Sequence, residues 1–333
     1  MSSAPTADEF VRDATWLVQA LDPSQGAARL VAMDRESYRA ASFLDDRMLK
    51  DQVDAQIVSW PAIEEAVSAD MRSDARWIFH IGHVGSTLVS RLLGELGDVL
   101  AVREPRMLRD LALTPANVRQ RYIALAPRLM SRTFAQTEVA CIKATSFASE
   151  IAPELVPPGE RALLMFATPR NYIGSILAGQ NSVEEMRLLA GSRAQRLNSR
   201  QIYLPSQNDA DLAAAAWACE ITALEQAAQR MVDREILWVN FDQMLGEMDT
   251  VLTNVANFLG FDSRHAGEIA SGPLMGRYSK APEYEYGANL RRELIAEACE
   301  RFASDIERAL AMLNSGSEKS PLLGRALARV KES

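Results

Sequence analysis

Histidine and cysteine are scarce in this chain, three of each among 333 residues. Cys141, Cys219 and Cys299 stand far apart with no CxxC spacing, which argues against a disulfide framework and a cysteine zinc site. His80 and His83 are close in sequence, but one falls in a strand pattern and the other in a turn, and His265 is remote, so no metal is expected. No GxSxG elbow is present, which removes the common serine-hydrolase signature. No run approaches the about 18 uncharged apolar residues of a membrane span. Even residues 212–228 contain Glu220 and Glu225. The opening MSSAPTADEFVRD is acidic where a signal peptide is basic and then apolar, so a soluble, cytoplasmic protein is expected, with no membrane partner. Basic residues are in deficit, 36 against 44 acidic, giving a net charge of −8. That weighs against nucleic acid as a partner. It leaves room for a small anionic ligand, because local amides and arginines outweigh a weak global field.

What remains is an ordinary globular composition, 48% hydrophobic and 24% charged. Five short runs, residues 77–82, 99–103, 139–143, 162–167 and 236–240, are almost continuously apolar, as strands are when helices cover both sheet faces. Segments with helical spacing separate them, among them residues 86–96. The alternation predicts an α/β fold, a doubly wound and mainly parallel five-stranded sheet with helices on both faces. Residues 1–73, with Phe10, Trp16, Leu17 and Leu21, read as an N-terminal helical cover over a core of residues 74–282. Residues 181–233 read as a helical insertion, and residues 283–333 as C-terminal helices thinning into a basic tail.

The most informative stretch is WIFHIGHVGSTLVSRLL, residues 77–93. A buried strand runs into a turn bearing Gly82 and Gly85 and then into an amphipathic helix. The glycines permit backbone angles at which successive N–H groups converge. The helix start adds unpaired N–H groups and about half a positive charge, and Ser86 and Thr87 add hydroxyls. Such a nest suits phosphate or sulfate. An ATP-type loop, GxxxxGK[ST], would need glycine where His80 stands and lysine where Ser86 stands, which weakens a kinase or ATPase reading.

This turn resembles that of the P-loop sulfotransferases, and the resemblance runs through short motifs from about Trp77 to about Lys280. It implies a P-loop around the 5′-phosphosulfate of 3′-phosphoadenosine 5′-phosphosulfate, formed by Gly82, His83, Val84, Gly85, Ser86 and Thr87. Family members carry lysine or arginine where this chain has His83, whose hydrogen bond to the leaving oxygen is the counterpart expected here. Glu104, after the second strand, is similar to the glutamate that serves these relatives as general base, although a solvated pair with Arg103 or Arg106 is the competing reading. Lys143 closes the third strand and resembles their charge-stabilising lysine, against the alternative of a snorkelling surface lysine. After the fourth strand, Pro169, Arg170 and Ser175 match the 3′-phosphate motif, while Ala167 replaces its first arginine. Ser175 reads equally well as a small packed residue. Arg277, Tyr278 and Lys280 resemble the loop that closes over the nucleotide, with an exposed basic loop as the alternative.

The resemblance therefore implies a sulfotransferase with a small-molecule hydroxyl or amine acceptor and no metal. An ATP-dependent P-loop kinase and a catalytically idle binding or scaffold protein are the alternatives. The insertion and the N-terminal segment are expected to shape the acceptor pocket.

Overall fold

The computed structural model describes residues 4–50, 54–276 and 288–332. Five strands form a wholly parallel sheet: β4 (Arg76–His80), β5 (Val99–Arg103), β6 (Val139–Lys143), β7 (Arg161–Phe166) and β8 (Glu235–Asn240), in the order β5-β6-β4-β7-β8. The chain leaves β4 for one edge and later crosses to the other, so the direction of winding reverses beside β4. Ligands of open α/β sheets bind at such a reversal, beyond the carboxyl ends of the strands.

The sheet forms where the sequence is continuously apolar. All five residues of β5 are buried, as are all but the first of β6 and β7. Helices flank it. Helix Ser86–Leu93 packs against β5 and β6, and helix Met248–Leu259 against β7. Helix Asp209–Arg230, inside the insertion with helix Gln180–Ser199, lies against β4. Its Trp217 is fully buried and donates its indole N–H to the Ala167 carbonyl at 3.0 Å, which anchors the insertion to the end of β7.

The N-terminal segment corrects the helical expectation. It contains an antiparallel sheet of β1 (Trp16–Asp22), β2 (Ala27–Ala32) and β3 (Ala55–Ser59), besides short helices. Residues 23–26 make the hairpin. Asp22 Oδ1 accepts the N–H groups of Ser24 and Gln25 at 3.0 and 3.2 Å, and Gly26 adopts φ +58°. Trp16, Leu17 and Leu21 thus sit on a strand, while Phe10 belongs to helix Ala7–Arg12.

Two buried arginines, Arg103 at the end of β5 and Arg132 in the connection before β6, fasten this segment to the α/β core through carbonyls. Arg103 donates to the carbonyls of Tyr38, Arg39 and Ala41, at the C-terminal end of helix Arg35–Ala40. Arg132 donates to those of Phe10, Asp13 and Trp16. Burial is the main cause that pulls each guanidinium down to about 10. The helix-end carbonyls supply the compensating partial charge for Arg103. The apolar residues of cover and sheet consequently form one continuous core. At the other end the basic tail is a helix, Pro321–Glu332, with Leu323 and Ala326 fully buried.

Candidate functional site

Beyond His80 the chain turns sharply, with φ +79° at Gly82, +54° at His83 and +60° at Gly85. Gly85 has no alternative as a residue type: a Cβ there would lie 1.9 Å from Phe241 Cζ. Beside Gly82 the space is open, with nothing within 4 Å of a Cβ position. Gly85 is also the N-cap of helix Ser86–Leu93, and no side chain caps that helix. Among the described residues, no carbonyl or side chain takes the N–H groups of Val84, Gly85, Ser86 and Thr87. A helix start lined by such donors, with a half-charge of dipole behind it, is an anion-binding element. The amide of Gly82 differs from the nest expected of it, since it donates to His80 Nδ1 at 2.9 Å.

The outside of the turn is braced. Arg291, on helix Ala288–Arg301, donates to the His83 carbonyl at 3.2 Å and stacks over Phe241, 5.0 Å from the ring centroid. The His83 ring meets Tyr172 edge-on, with centroids 6.1 Å apart.

Glu104 follows β5 and also adopts a left-handed backbone, φ +53°. A non-glycine residue costs roughly 1–2 kcal/mol there and persists when its surroundings determine it. They do so here. Its N–H donates to the Lys143 carbonyl at 2.7 Å, Lys143 Nζ donates to Oε1, and Arg47 Nη2 donates to Oε2 at 3.1 Å. The pairing with Arg103 or Arg106 is thereby replaced. Arg103 is buried on carbonyls, and Arg106 bonds Asp46 and Asp110. Lys143 is no surface lysine either, because its side chain is 1% exposed. Arg47 covers the Phe43 ring at 3.4 Å. Burial opposes the charge on Arg47, but Asp45 and Glu104 outweigh it and hold its pKa above the ordinary value. His80 Nε2 lies 3.8 Å from Glu104 Oε1, so the ends of β5, β6 and β4 bring Glu104, Lys143 and His80 together behind the turn.

The predicted 3′-phosphate residues are engaged elsewhere. Arg170 pairs with Glu307 on helix Ala303–Lys319, and Ser175 Oγ donates to the Tyr172 carbonyl of its own helix at 2.8 Å. Helix Ala288–Arg301 packs so closely on helix Pro169–Leu177, which carries Arg170 and Ser175, that a Cβ at Gly174 would lie 2.7 Å from Cys299 Sγ. Arg277, Tyr278 and Lys280 lie outside the described residues. Sequence reasoning missed Arg47, His80 and Arg291. Only His80, immediately before the turn, carried a local signal.

Two cavities lie away from this edge. One of about 290 Å³ is lined by Arg72, Arg132 and Phe134, before the starts of β4 and β6, and one of about 60 Å³ by Arg193, Leu197 and Leu212. Neither is lined by a residue of the turn. Among the described residues no group of three His, Cys, Asp or Glu could hold a metal ion, and no helix is long and apolar enough to cross a membrane.

No protein-family model and no curated protein matches the sequence. Among solved structures, the chain is similar to the sulfotransferase domain from the curacin biosynthetic pathway. The identity is 12%, 74% of this chain and 99% of that chain are covered, and the TM-score is 0.43. At that distance residue roles do not transfer from one protein to the other.

Proposed function

We propose that this protein is a sulfotransferase, moving a sulfuryl group from a donor of the 3′-phosphoadenosine 5′-phosphosulfate type to a hydroxyl or amine. The observation that carries this reading is the pairing of four turn amides, which no carbonyl or side chain takes among the described residues, with a carboxylate–ammonium pair at the same end of one sheet. The N–H groups of Val84, Gly85, Ser86 and Thr87, with the two hydroxyls, suit the anionic end of such a donor. The donor supplies an activated sulfuryl group whose departure leaves negative charge on a phosphate oxygen. Lys143 is the fixed cation for charge developing near Glu104, and His83 stands at the lip of the turn.

Glu104 is the group that takes the acceptor's proton. It does so only when Arg47 or Lys143 yields one carboxylate oxygen, since both oxygens accept hydrogen bonds here. Arg47 is the partner that yields. Its side chain is 49% exposed against 1% for Lys143, so its half of the cluster exchanges with solvent at small cost. Acceptor choice falls to the N-terminal segment, which places Phe43 and Arg47 beside the base. The residues fit the sulfated end of the donor better than its 3′-phosphate. Holding that phosphate requires Arg170 to leave Glu307, an exposed pair of little worth.

A P-loop kinase is less well supported, because Ser86 stands where the phosphate-binding lysine would be and Lys143 is committed to Glu104. A thermal-shift comparison separates the readings. Adenosine 3′,5′-bisphosphate at about 100 times its Kd adds about 2.7 kcal/mol of stability and raises Tm. Gly82→Asp, which meets no neighbouring atom but bears the strain of φ +79°, sets a carboxylate in the turn and removes that shift. Stabilisation by magnesium ATP alone points to the kinase, and by neither nucleotide to an idle fold.

A further inference from the structure

One side chain, bonded to the glycine turn, extends toward the Glu104–Lys143 pair, and we propose that His80 is a positioning residue that couples anion binding at the turn to the orientation of Glu104. The inference deepens the reading above and rests on it. Because the Gly82 N–H donates to Nδ1 at 2.9 Å, that nitrogen carries a lone pair, and the ring proton of the neutral imidazole resides on Nε2. Nε2 faces Glu104 Oε1 at 3.8 Å, the oxygen that Lys143 also reaches. The ring is 5% exposed on the central strand, so neither end is free to rotate into solvent.

The arrangement has a direction. A turn held in its anion-binding shape fixes the imidazole through Gly82, and the fixed imidazole presents a donor toward the carboxylate. Among the described residues, charged groups reach this spot from Glu104 after β5, Lys143 at the end of β6, and Arg47 from the N-terminal segment. A ring protonated on both nitrogens would set Nδ1–H against the Gly82 N–H and lose the bond, so the link requires the neutral tautomer.

Asparagine and glutamine separate its two ends. His80→Asn places an amide oxygen near the Nδ1 position but falls short of Glu104, whereas His80→Gln reaches toward Glu104 and gives up the bond to Gly82. Calorimetry with adenosine 3′,5′-bisphosphate should find His80→Asn within about threefold of the unmodified protein and His80→Gln roughly tenfold weaker, the loss of about one hydrogen bond. In a double-mutant cycle, Glu104→Gln should change affinity by at least about threefold more in the unmodified protein than in His80→Asn. Nitrogen-detected NMR of the unmodified protein should place the His80 proton on Nε2, a readout independent of whether the variants fold. Equal affinities for the two variants, an additive cycle, or a proton on Nδ1 would each overturn the coupling. Absence of nucleotide binding would refute the proposed function, and the same cycle run with inorganic sulfate as the anion would then decide the His80 link.

Discussion

Removing the carboxylate of Glu104 should destabilise the protein far more than removing the ammonium of Lys143. The asymmetry follows from burial. Lys143 has a side chain 1% exposed and Glu104 as its ion-pair partner, so Glu104→Ala takes the carboxylate away from a buried ammonium. Breaking a buried pair in this way costs about 3–5 kcal/mol. Lys143→Met instead removes the buried charge and leaves Glu104 with Arg47 at 3.1 Å, for a loss of about 1–2 kcal/mol. The double variant should be more stable than Glu104→Ala alone, because it no longer buries an ammonium whose carboxylate has been removed. Backbone strain adds a check: Glu104→Gly relieves φ +53° and should recover about 1 kcal/mol relative to alanine. Urea unfolding followed by tryptophan fluorescence gives all four values, the fully buried Trp77 lying on β4 among the reporters. A Glu104→Ala protein within about 1 kcal/mol of the parent, or a double variant whose losses simply add, would refute the reasoning.

Other expectations follow from the same structure. Gly85→Ala meets both the Phe241 ring and a left-handed backbone, so it should cost at least about 3 kcal/mol and open the turn to limited proteolysis. Burial raises the thiols of Cys141 and Cys219 to about 12 from an ordinary 9.0, so neither should react with a thiol reagent at neutral pH in the folded state. Burial also raises Tyr38 and Tyr172, and all four groups hold their protons longer folded than unfolded. Their contribution is therefore intact below pH 9 and lost as pH rises toward 12, which chemical unfolding at successive pH values would detect. Arg329→Ala leaves Glu225, 2% exposed, without the helix Pro321–Glu332 partner that also covers Trp238 at 4.1 Å. A loss of about 3 kcal/mol is expected in the same urea assay.

The parallel sheet was legible because strands covered on both faces are written as unbroken apolar runs. β5 and β6 have the bounds read from sequence, and the other three differ by one or two residues at their ends. The N-terminal sheet was not, for a physical reason. Phe10, Trp16, Leu17 and Leu21 mimic helical spacing, and the break between β1 and β2 depends on Asp22 capping the turn with its own side chain. β3 is exposed or half-buried at every position and carries little apolar signal.

The site divides in the same way. Glu104 and Lys143 were readable as polar residues ending apolar strands, and the turn as glycine between strand and helix. Arg47 reaches Glu104 from 57 residues away, and Arg291 reaches His83 from 208, distances at which single-sequence patterns are silent. His83 illustrates the converse. Its place in the motif was evident, but its edge contact with Tyr172 is a product of packing.

The most direct test of the sulfotransferase reading is a crystal structure of the protein soaked with adenosine 3′,5′-bisphosphate. The 5′-phosphate should accept hydrogen bonds from the amides of Val84 to Thr87, with its distal oxygen directed toward the Glu104–Lys143 pair. A turn empty of phosphate, with the nucleotide bound elsewhere or not at all at saturating concentration, would contradict it.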